Sequence, residues 1–172
     1  AQLCATNYAP LRDDCLSQRA WTFADKAATL DTPISGGWGD AGPKLYELPE
    51  DTIRVYRVYR RVDGPNPIPV EGWRREGNYI SSRYSGTIYI MYTSRVEDTE
   101  EFPPAFTQVL ATRIAADLAM AITRSRSMQE SMYTQYQAKL IDASAVDSGQ
   151  ARSERTDSTE LTRIRFSDGW GL

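Results

Sequence analysis

Histidine is missing from all 172 residues, and this absence excludes more chemistry than any other compositional fact. Ser-His-Asp and Cys-His catalysis cannot be assembled within one subunit, and neither can a zinc site with imidazole ligands. Cysteine is nearly missing too, with only Cys4 and Cys15 present. On one helix their spacing would separate them by roughly 16 Å, too far for a disulfide. Both are therefore expected to pack as small buried apolar groups in a reducing cytoplasm. No apolar run approaches about eighteen residues, so no membrane span is expected. Gly36-Gly37-Trp38-Gly39 lacks the spacing and the Lys-Ser/Thr pair of a phosphate loop, and no helical pattern follows it. The carboxylates that remain for hydrolysis, Asp13, Asp14, Glu50, Asp51 and the cluster at 97–101, read as solvated turns and helix starts. No catalytic residue, cofactor or metal is expected.

What is present suits one domain, or one domain with an arm: 41% of residues are hydrophobic, and the net charge is −3. No signal-peptide pattern is visible. The first residue is Ala and falls inside a helical pattern with no capping residue, which raises the expectation of a segment upstream. Cys4, Tyr8, Leu11 and Cys15 lie close to one face of that opening helix, with Arg12, Asp13 and Asp14 on its solvated side. Pro10 either bends the helix or begins a new one. Trp21 and Phe23 then open a segment that reads as a strand.

Residues 32–45 read as a loop by their glycines and prolines. Trp38 at its tip is a candidate partner-docking anchor, or else folds back on its own core. Arg54-Val55-Tyr56-Arg57-Val58-Tyr59-Arg60-Arg61 has strand composition but a repeat of three, so each face receives arginine and apolar residues. Arg54, Arg57, Arg60 and Arg61 are thus candidate subunit-interface residues. A twisted edge strand, with arginine stems over tyrosine rings, fits the same pattern. Ser85-Gly86 between two aromatic, β-branched runs signals a hairpin.

Between 54 and 95 arginines outnumber carboxylates by five, interleaved with tyrosine. That supports a small nucleic-acid-binding module as an alternative function. Against it stand the acidic chain, the missing RNA-binding aromatic signature and the acidic run that follows.

Pro103-Pro104 suit a helix start, and Phe106, Val109, Leu110, Ile114, Leu118 and Ile122 recur at helical spacing. Ser127-Met128-Gln129-Glu130 reads as a capping box opening a second helix, with Met128, Met132, Tyr136, Leu140 and Ile141 as its apolar stripe. The two helices are expected to cover one side of a small sheet. Beyond about residue 143 the chain turns polar. It becomes apolar again at Leu161-Thr162-Arg163-Ile164-Arg165-Phe166, with Trp170 near the end. Arg163, Ile164, Arg165, Phe166 and Trp170 are candidate docking residues of an arm that orders against a partner or returns to its own domain. The expected fold is α+β. An N-terminal helix and two long C-terminal helices pack with a small antiparallel β-sheet over residues 1–146, and 147–172 form an extended arm.

Arg19-Ala20-Trp21-Thr22-Phe23-Ala24-Asp25-Lys26-Ala27-Ala28-Thr29-Leu30, preceded by Tyr8-Ala9-Pro10-Leu11-Arg12-Asp13-Asp14-Cys15-Leu16 and followed by Leu48-Pro49-Glu50-Asp51-Thr52-Ile53-Arg54-Val55, resembles the tail tubular protein A family of tailed bacteriophages. The resemblance covers residues 3–146. It implies a structural head-to-tail adaptor: a homo-oligomeric ring, usually of twelve copies, docked beneath the phage portal protein and holding the tail nozzle or tube protein. DNA would be a channel passenger only, with no membrane partner, in the tail or neck region of a virion assembled in the host cytoplasm. A mildly acidic chain suits such a channel, because each phosphate it neutralised would add drag.

Overall fold

The computed structural model describes residues 2–31, 33–35, 42–60 and 67–150. Trp38, Arg61, Arg163, Ile164, Arg165, Phe166 and Trp170 lie outside them. The fold is α+β, with three α-helices and two antiparallel sheets among the described residues.

Helix α1 (Gln2–Ser17) runs through Pro10 and buries Leu11, Cys15 and Leu16. Cys4, near its start, is exposed, contrary to the expected burial of both thiols, because the packed face begins a turn later. Trp21 and Phe23 do not lie in a strand. Thr22–Ala24 form a single 3-10 turn, and strand β1 begins only at Asp25.

Strands β1 (Asp25–Leu30), β4 (Thr52–Arg60), β5 (Ile68–Pro69) and β8 (Ile88–Ser94) make one sheet in the order β1-β8-β4-β5. Strands β2 (Ile34–Ser35), β3 (Lys44–Glu47), β6 (Arg74–Glu76) and β7 (Tyr79–Ser82) make the other, in the order β2-β3-β7-β6. The turn between β6 and β7 places Gly77 at φ +62°, where an L side chain would be strained. Residues 85–86 do not close the expected hairpin, because β7 and β8 belong to different sheets and the segment crosses between them. The expected loop at 32–45 likewise contains β2 and the start of β3.

Strand β4 resolves its three-residue repeat by two irregularities. Its nine residues oppose seven in β8, with register shifts between Thr52 and Arg54 and again between Val55 and Arg57. Each bulge adds one residue and turns the strand. Thr52, Val55 and Val58 are therefore all buried, opposite Ser94, Tyr92 and Ile90. The faces remain mixed at the far end of the strand, where Arg60 shares the valine face and Tyr59 the face of Arg54 and Arg57.

Residues from both sheets, among them Tyr46, Val55, Val58, Ile80, Ile88 and Ile90, share one buried cluster. The helices build another. Helix α2 (Pro104–Thr123) contributes Phe106, Val109 and Leu110, α1 contributes Cys15 and Leu16, and α3 (Arg126–Gln150) contributes Tyr136 and Ala143. The helices thus pack mainly on one another rather than over a sheet, since each sheet covers the other. Helix α2 starts at Pro103-Pro104 as expected and is long and apolar enough by length and composition to cross a bilayer. Its apolar side is engaged in this helical core, and Arg113 ion-pairs with Asp14 at 3.1 Å.

Helix α2 ends at Arg124, in the left-handed region at φ 53°. Ser125, not Ser127, caps α3: its hydroxyl accepts from the Met128 amide at 3.3 Å. Helix α3 then continues through Gln150, so the boundary expected at 146/147 falls inside it.

Candidate interaction surfaces

Trp21 anchors the helical half. Its indole Nε1 donates to the Cys15 carbonyl at 3.0 Å, and its ring meets Phe106 edge-on at 5.1 Å. Arg19 lies over the same ring at 5.2 Å and pairs with Asp147 at 3.1 Å. The other Asp147 oxygen accepts from the Thr22 amide and hydroxyl, at 3.0 and 2.6 Å. Asp147, expected at the start of an extended polar arm, is therefore buried and fastens the end of α3 to the 3-10 turn.

The expected solvated face of α1 is a network instead. Arg12 is buried and reaches Asp13 at 2.9 Å and Glu97 at 3.6 Å, and Arg95 meets Asp13 at 3.0 Å. Burial pushes the Cys15 thiol from 9.0 to about 12, with the charge of Asp14 adding to it. Tyr136 is raised to about 12, chiefly by burial and then by Cys15 and Asp14. A thiol so shielded is a packing group rather than a nucleophile.

Of the arginines expected at a subunit interface, Arg54 is exposed and donates to the Ser17 carbonyl at the end of α1. Arg57 is exposed beside the Tyr59 hydroxyl at 3.4 Å, and Arg60 lies 5.5 Å over the Tyr84 ring. Register puts Arg54 and Arg57 opposite Thr93 and Met91, on the other face from Arg60, which opposes Ile88. The strand brings the three into one sheet but not onto one face. Tyr56, from the second bulge, donates to Asp25 across the sheet, and its hydroxyl pKa is raised by burial and by that carboxylate.

A cleft of about 460 Å³ opens between the start of β1, the turn before β4 and the segment that follows β8. Phe23 and Val96 give it apolar surface, and five carboxylates face two cations around it. Lys26 donates to Asp51 at 2.8 Å, and Tyr92 donates to the other carboxylate oxygen at 3.1 Å. Burial works against the Asp51 charge, but these two partners outweigh it and hold the pKa below the usual carboxylate value. Tyr92 rises to about 12 through burial and the same carboxylate. Among the described residues no cluster of Cys, Asp or Glu is arranged to hold a metal ion.

Exposed apolar side chains are also spread along α2 and α3. Ile122 and Ile141 are each 69% exposed, and Met120, Met128, Tyr133 and Val146 are exposed as well. Ile122, Met128 and Ile141 were expected in the core; the buried stripe of α3 instead follows Tyr136, Ala143 and Asp147. These residues carry the right hydrophobicity in sequence, but only the tertiary arrangement shows that nothing in the described chain covers them. A lateral groove of about 530 Å³ between the two helices includes Arg113, Asp117, Glu130 and Tyr133.

No known protein family matches the chain, and no characterised protein matches it significantly in sequence.

Proposed function

We propose that this protein is a structural head-to-tail adaptor subunit of a tailed bacteriophage, forming a ring between the portal protein and the tail nozzle or tube. The observation that carries the reading is the set of large apolar side chains left in water along α2 and α3. Six such residues on one helical hairpin leave apolar area for neighbouring copies to cover. A ring offers each subunit two neighbours and covers such surfaces without any additional ligand. The resemblance of the Trp21 segment and its flanks supplies the partners: about twelve copies of this chain, a portal above and a nozzle or tube below. DNA passes through the channel without being gripped.

The arginines of β4 support structure more readily than base reading, because Arg54 is spent on a backbone carbonyl and Arg60 on a tyrosine ring.

The test is the mass of the complex formed with the cognate portal, by single-molecule mass measurement or electron microscopy. A closed ring stacked on the portal is the expected result. No association, together with tight and salt-dependent DNA binding by the isolated subunit, would replace the adaptor with the nucleic-acid module.

A further inference from the structure

We infer that the tip of the α2–α3 hairpin of one copy docks in the acidic cleft beside β1, β4 and β8 of the next copy. The inference rests on the ring reading and names its lateral contact.

The tip combines exposed Met120, Ile122 and Met128 with two arginines. Arg124 is projected by the left-handed residue that ends α2, and Arg126 follows at the start of α3 with its side chain 85% exposed. No carboxylate occurs from residue 118 to 129, and the first one beyond, Glu130, pairs with Arg126 at 3.1 Å. The tip is thus apolar with a basic rim.

The cleft is its complement, with Phe23 and Val96 as apolar surface and Glu50, Glu97, Asp98 and Glu101 among its acidic lining. Lys26 and Arg95 are already matched inside the chain, to Asp51 and Asp13. Four lining carboxylates, Glu50, Glu97, Asp98 and Glu101, are left without a matching cation in the lining. The exposed Glu97 meets Arg12 at 3.6 Å and so has acceptor capacity to spare.

Position completes the argument. Glu101 precedes Pro104 by three residues, so the cleft adjoins the first turn of α2 while the tip lies at its end. A helix of 20 residues separates the two by about 30 Å. The tip therefore cannot reach the cleft of its own chain, and two different surfaces at opposite ends of one subunit produce a head-to-tail contact. Such contacts propagate into rings when the rotation closes.

The experiment uses the full chain without portal, at high protein concentration and low salt, with self-association measured by sedimentation. Two reversed proteins are compared with the parent: Arg124→Glu with Arg126→Glu at the tip, and Glu97→Arg with Glu101→Arg in the cleft. Each alone is expected to associate at least tenfold more weakly, and an equimolar mixture to recover the parent's association, since each reversed tip then meets a reversed cleft. Ile122→Ser, which changes no charge, is expected to weaken association as well. A parent chain that stays monomeric, reversed chains that associate like the parent, or a mixture no stronger than its parts would overturn the contact. Portal binding is read separately: rings that still form on the portal with either reversed protein keep the adaptor function and remove only this contact.

Discussion

Asp147 holds the first aromatic segment of the chain from the far end of the last helix, through one charge and two hydrogen bonds. Replacing it by Ala would strand the half-buried Thr22 amide and leave Arg19 without this partner, and is expected to cost about 2 kcal/mol in urea unfolding. Asp147→Asn keeps the acceptor for Thr22 and should lose clearly less. Composition could not reveal this role, because the partners lie 125 residues apart. The two thiols were misjudged for the opposite reason: helical spacing places both on one face but does not say where the covered part of that face begins. A thiol reagent should therefore modify one cysteine in the native protein, Cys4, and reach Cys15 only after denaturant is added. Burial also sets an alkaline limit. The neutral forms of Cys15, Tyr92 and Tyr136 are favoured in the fold, each with a pKa of about 12. Their contribution is complete below the unfolded values and is lost as pH rises through the folded ones. Stability should fall between about pH 9 and 12, set by those ordinary and raised values. Tyr92→Phe should make that fall shallower in thermal unfolding followed against pH.

At the scale of elements, periodicity was a good guide to helices and a poor one to caps and pairing. The repeat of Phe106, Val109 and Leu110 identified α2, and Pro103-Pro104 located its start, because both signals are local. The capping box at Ser127 satisfied the pattern, yet Arg124 ends α2 so tightly that Ser125 becomes the cap. Ser125→Ala is expected to lose about 1 kcal/mol and Ser127→Ala only a small fraction of that, by chemical denaturation. In β4 the repeat of three was visible and its meaning was not. A strand alternates with period two, so three-residue spacing with valine always inside requires an added residue in each triplet. Both bulges were thus written in the sequence. The sheet assignment of β7 and β8 was not, since a Ser-Gly step suits a crossing between sheets as well as a hairpin.

For the molecule as a whole, the α+β class and the succession of one helix, a sheet region and two helices were legible from residues 1–146, whereas the division into two cores was not. That division depends on which apolar faces meet, and each sheet met the other. The candidate docking residues of the terminal arm, with Trp38 and Arg61, lie outside the described residues, so their role rests on the sequence. Deleting residues 161–172 is expected to leave the melting temperature unchanged while weakening assembly on the portal; unchanged assembly would end the arm hypothesis. The exposed apolar residues of α2 and α3 could not have been found by hydrophobicity alone, because Ile122 and Ile141 look like any other core position.

The join between the two cores has a mechanical consequence. Apart from Ile53 and Val96, which reach into the helical cluster, it is bridged by Arg54 on the Ser17 carbonyl, Ser94 on the Ala24 carbonyl, and the ion pairs of Arg12 and Arg95. Interlocked apolar side chains resist sliding, whereas long cationic side chains keep their partners through small rotations. The expected behaviour of the subunit is that of two stiff bodies on a more compliant joint. A ring of them could widen or narrow under load by flexing at every joint at once, with neither core repacking.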